Sequence, residues 1–108
     1  MQPLQVKDEF PGIAQRVEEV THMCQITSGL PDELRSVLDE LAQETRHAKA
    51  MLREEETGNR IIQCIDRLEK LSDRAMQACS QDSSIDQRLQ NAVRHAHDAL
   101  SDLKHRLH

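Results

Sequence analysis

The chain has 108 residues, a formal net charge of −5, 31% charged residues and a mean hydropathy of −0.69. That length suits one domain around a single core, and the acidic balance lacks the basic field that holds phosphate backbones, so nucleic acid is not expected as a partner. No apolar run approaches the about 18 residues of a membrane span, and Met1 to Phe10 lacks the basic start and apolar middle of a signal peptide; no membrane partner and a cytoplasmic location are expected.

Residues 1–10 show no clear period and are punctuated by Pro3 and Pro11, which reads as a loose lead-in. From Pro11 the residues Ile13, Val17, Val20, Cys24 and Thr27 recur at helical spacing, predicting a first helix over about 11–28. Gly29 suits a left-handed cap after it. Leu30-Pro31-Asp32-Glu33 then restarts the chain, with proline at a first helical position and acids at the positive end of the helix dipole.

A second helix is predicted over about 31–56 from Leu34, Leu38, Leu41, Thr45, Ala48 and Leu52. The stripe fails at Glu55 and Asn59 and resumes at Ile61, Ile65, Leu68, Ser72, Ala75 and Cys79, a third helix over about 60–80. The step from Leu52 to Ile61 fits neither seven nor eleven residues, so the buried face changes phase at Thr57-Gly58-Asn59. After the polar stretch Ser80 to Ser84, Ser83 with Asp86 or Ser84 with Gln87 suits a capping box. A last helix over about 84–107 follows, striped by Ile85, Leu89, Ala92, Ala96, Leu100, Leu103 and Leu107.

Two architectures compete. A turn at Thr57-Gly58-Asn59 gives four helices of matched length with short connections, an antiparallel up-and-down four-helix bundle in one all-α domain. A continuous central helix over about 31–80 would run roughly 70 Å and leave three helices that need an intertwined dimer to share a core. Three weak helix formers in a row cost roughly 2 kcal/mol inside a helix. Against that, Glu54-Glu55-Glu56 at a helix C-terminus and Arg60 at an N-terminus each oppose the dipole by about 0.3 to 1 kcal/mol. The phase change and the matched lengths favour the turn.

The chemistry-bearing residues are sparse. Cys24, Cys64 and Cys79 lack any Cys-x-x-Cys spacing and fall on or beside apolar stripes, where a thiol is protonated and inert. There is one Phe and no Trp or Tyr, so the core is aliphatic and the usual aromatic interface anchors are missing. An acid-x-x-His spacing occurs at Glu19/His22, Glu44/His47 and Asp102/His105, as in bundle metal sites. On a helical wheel these histidines point away from the apolar stripes, so they belong to the solvated face. His95, Asp98, Asp102 and His105 form a polar stripe on the last helix that suits a surface metal site.

Ala96-His97-Asp98-Ala99-Leu100-Ser101 resembles the motif of histidine phosphotransfer domains, four-helix bundles of about this size. The chain departs from that family at Leu100 and Ser101, where the motif carries Lys and Gly. Glu55-Glu56-Thr57-Gly58-Asn59 resembles the Asp-x-Thr-Gly-Gln of the CheZ-type response-regulator phosphatases, with both functional positions substituted. These likenesses imply a phosphorelay role through His97, or through Glu55 or Glu56 with Asn59, whose acid and amide would orient a water.

The leading expectation is a non-enzymatic protein-interaction, adaptor or regulatory module that binds another protein or itself, a homodimer included, with no cofactor. Met51 and Ile62 lie off their stripes beside the break and suit a contact patch.

Overall fold

The computed structural model describes residues 3–54, 59–82 and 84–107. The described residues form four α-helices and no strand: α1 (Pro3–Ile26), α2 (Asp32–Arg53), α3 (Asn59–Ser80) and α4 (Gln87–Leu107). The helices pack in a ring, α1 on α2, α2 on α3, α3 on α4 and α4 back on α1, which makes an all-α four-helix bundle. Between α2 and α3, and between α3 and α4, the residue numbers run in opposite sense: Glu40 meets Arg74 and Glu44 meets Arg67, while Asp73 meets His97 and Glu69 meets Lys104.

The central stretch is therefore two helices, and the continuous helix over 31–80 is overturned. Residues 55–58 lie outside the described residues, but Glu44 of α2 touches Cys64 and Arg67 of α3, twenty and more positions on. The physical reason is the phase change. Leu34 to Leu52 and Ile61 to Cys79 could not face one side of a single straight helix, whereas two helices laid side by side turn both stripes into one core. With this goes the reason for expecting an intertwined dimer.

The first ten residues are not a loose lead-in from Pro3 onward: α1 begins there and continues through Pro11. Phe10 explains this. It stands three residues before Ile13 and seven before Val17, and its side chain is 1% exposed in the core. Burying a phenylalanine is worth at most about 3 kcal/mol, which offsets the about 3 kcal/mol cost of an interior proline. Glu9, on the same turn, adds an ion pair to Arg106 of α4.

Other boundaries shift by a few residues. Gly29 adopts the left-handed backbone, φ +79°, expected of it, and α1 closes with the Arg35 guanidinium donating to the Thr27 carbonyl at 2.9 Å. Pro31 is the cap of α2 rather than its first residue, with Asp32 and Glu33 in the first turn. At the other end of the chain, α4 starts at Gln87, not at 84. The expected capping box of Ser84 with Gln87 does not form: Ser84 turns back to donate its N–H and hydroxyl to Asp82, and Asp86 caps α4 by accepting the Arg88 N–H at 2.7 Å. Ser83 lies outside the described residues.

The core is aliphatic, with Leu34, Leu38, Leu41, Ile65, Leu68, Leu89, Leu100 and Leu103 almost fully buried. Its buried polar side chains, Thr45 and Ser72, donate to carbonyls of their own helices, Leu41 and Glu69, each at 2.7 Å. Because these hydroxyls are satisfied locally, they cost little and need no ligand. None of the described helices is long and apolar enough to cross a membrane.

Candidate functional site

The chemistry of this bundle lies along two outer seams, and α3 is the helix common to both. Its exposed side facing α2 carries Arg60, Arg67, Lys70 and Arg74, spaced by seven, three and four residues, so they form one row. Its side facing α4 carries Glu69 and Asp73, four residues apart. α2 answers the basic row with Glu40 and Glu44, and α4 answers the acids with His97 and Lys104. Charge thus agrees with the apolar stripes about which helices are neighbours.

The α2–α3 seam is hollowed twice. One hollow, of about 400 Å³, has Leu71 at its floor, Arg67, Lys70 and Arg74 on one bank and Glu40, Gln43 and Glu44 on the other. The next, of about 350 Å³, shares Arg67 and takes in His47, Met51, Glu54, Arg60 and Gln63. The pairs that cross the first hollow are long, 3.6 Å for Arg67 with Glu44 and 3.9 Å for Arg74 with Glu40, and both guanidinium side chains are 57% exposed. Surface pairs of this kind contribute about 0 to 1 kcal/mol.

The α3–α4 seam holds a tighter group. Ligand-capable oxygens of Glu69 and Asp73 and a ring nitrogen of His97 lie within 4.8 Å of one another. The His97 side chain is 17% exposed, with Nε2 against Asp73 Oδ1 and Nδ1 facing Asp98 Oδ1 at 3.4 Å. The Lys104 ammonium sits 3.4 Å from Glu69. In the same way Arg106 bridges Glu9 of α1 and Asp102 of its own helix, so α4 is tied to both neighbours by charge.

The residues singled out from sequence are scattered over this surface. Met51 lines the second α2–α3 hollow, but it is half-buried and packs on the core rather than standing free. Ile62, also half-buried on the core, falls by spacing on the row of Glu69 and Asp73, the opposite side of α3. Among the described residues the large apolar side chain that is exposed is Ile26, at 71%, near the end of α1. The two proposed contact residues therefore do not share a patch.

Of the phosphoryl candidates, His97 lies in the α3–α4 seam, Asn59 is the exposed first residue of α3, and Glu55 and Glu56 lie outside the described residues. The stripe of His95, Asp98, Asp102 and His105 is exposed along α4, with Asp102 engaged by Arg106. What brings His97 into a cluster is a pair of acids from another helix, Glu69 and Asp73, which the sequence reading did not single out. Their spacing of four was the available signal, and only the packing of α3 on α4 sets it against a histidine.

The thiols are buried. Burial pushes Cys24 and Cys79 up from their ordinary range, and for Cys64 burial together with the Glu44 carboxylate, 3.5 Å from Sγ, pushes the thiol up to about 11. All three are protonated packing groups at neutral pH. No protein-family model, curated protein or solved structure matches this chain.

Proposed function

We propose that this bundle is a protein-interaction module that takes an acidic helical segment of a partner along the α2–α3 seam. The observation that carries this reading is the basic row Arg60, Arg67, Lys70 and Arg74, exposed on a chain of net charge −5 and bordering two consecutive hollows. The seam from Arg60 to Arg74 runs about 21 Å, the length of a helix of about 14 residues. Leu71 and Met51 supply apolar contact, and the first hollow has three cations against two carboxylates. Partner carboxylates would replace the long Arg67–Glu44 and Arg74–Glu40 pairs at little cost, and helix-in-groove recognition needs this combination of apolar anchors and flanking charge.

The test uses a synthetic 14-residue amphipathic helix with Leu on one face and Glu beside it, followed by fluorescence anisotropy at two salt concentrations. Wild-type protein binds it, more weakly at higher salt, and the Lys70→Glu/Arg74→Glu protein binds at least about tenfold more weakly, a loss of about 1.4 kcal/mol. Equal binding by that variant, or equal binding of a peptide with Lys in place of Glu, would overturn the proposal.

A further inference from the structure

The cluster in the α3–α4 seam is independent of the basic row and has a different chemistry. We infer that Glu69, Asp73 and His97 form a binding site for a first-row divalent metal ion, zinc by its ligand set, that staples α3 to α4. Three observations support it together. The donor atoms already lie within 4.8 Å of one another, and they come from two helices whose backbones are fixed by the core. Small side-chain rotations bring such a set to the 2.0 to 2.2 Å expected of zinc with imidazole and carboxylate ligands, leaving one position for water. Lastly, the second ring nitrogen of His97 faces a carboxylate of its own, Asp98. A carboxylate behind the metal-bound imidazole fixes its tautomer and raises its basicity, and this outer partner accompanies metal-ligating histidines almost always.

The charge count agrees. Glu69, Asp73 and Asp98 bring three negative charges, Lys104 brings one positive, and a ligating imidazole is neutral, so the seam carries a deficit of two that a divalent ion fills. Lys104 is then the resident competitor for Glu69: its ammonium gives up that carboxylate to the metal and stays beside the seam. An all-oxygen site would suit magnesium or calcium, whereas the imidazole selects zinc, cobalt or nickel.

The experiment is equilibrium dialysis of the full chain against zinc, with thermal unfolding by circular dichroism and the cobalt-form absorption spectrum as further readouts. One zinc binds per wild-type chain, and at a hundredfold excess over its Kd the Tm rises by about 10 °C. His97→Ala and Asp73→Asn each abolish this site and the cobalt spectrum, and either alone suffices should the other fail to fold. Lys104→Gln tightens binding severalfold because the competing ammonium is gone, while the His95→Ala/His105→Ala protein keeps the site. The inference is overturned if His97→Ala or Asp73→Asn binds zinc as wild type does. Loss of binding in the His95/His105 variant, weakening by Lys104→Gln, or an equal response to magnesium or calcium would overturn it as well.

Discussion

Replacing Phe10 by alanine tests most directly how this chain uses its N-terminal segment. The ring is 1% exposed and belongs to the same core as Val17, Leu41 and Leu103. Truncation to alanine removes its transfer energy and leaves a cavity, which for phenylalanine costs about 3 to 5 kcal/mol. A domain of this size has about 5 to 15 kcal/mol to lose, so the effect is a large fraction of its stability. With unfolding entropy near 2.1 cal/mol/K per residue, a loss of about 3 kcal/mol lowers Tm by roughly 13 °C. The chain has no Trp or Tyr, so urea and thermal unfolding are followed by far-ultraviolet circular dichroism. Ile26→Ala, at a side chain 71% exposed on the same helix, is the control and shifts stability by about 0.5 kcal/mol or less. If Phe10→Ala cost under about 1 kcal/mol, the segment before Pro11 would not be docked on the core and the account of α1 would be wrong.

Two glycines give opposite expectations. Neither would bring an added Cβ within 4 Å of anything, so backbone conformation alone decides. Gly29→Ala destabilises by about 1 to 2 kcal/mol because φ is +79°, while Gly12→Ala, inside α1, stabilises by about 0.5 to 1 kcal/mol in urea titrations; like signs would refute this. The thiols supply a pH dependence. A pKa raised in the folded state means stability that is complete below the unfolded thiol pKa and lost as pH climbs through the folded one. For Cys64 the window runs from about 9 to about 11, with Cys24 and Cys79 shifted in the same direction. Stability of wild-type protein should therefore fall above pH 9, less so in Cys64→Ala, and thiolate absorbance at 240 nm should develop only above that pH. Titration of all three thiols at the pH found in urea would refute it.

The residues that were legible in sequence are those whose partners are local. Leu34 to Leu52 and Ile61 to Cys79 show the helical period on their own, and the nine-residue step between them already favoured a turn over one continuous helix. Gly29 was readable as a left-handed cap because the need for glycine is a property of one residue's backbone. Where the reading failed, a distant contact outweighed a local rule. Pro3 and Pro11 pointed to a lead-in, but Phe10 reaches a core built from other helices and holds α1 together through Pro11. Ser84 looked like a cap, yet Asp82 claims it and leaves Asp86 to cap α4.

The same division holds for the candidate sites. The sequence by itself determined an all-α chain of four amphipathic segments with an aliphatic core, because period and composition act within a turn or two of each residue. It also placed the histidines of the acid-x-x-His pairs on solvated faces. Only the tertiary structure decided that Glu69 and Asp73 meet His97, and that Glu44 meets Cys64 and Arg67. These are meetings between helices, fixed by which face each helix turns to which neighbour. That choice is made by the packing of all four stripes at once, which no single stretch of the chain encodes.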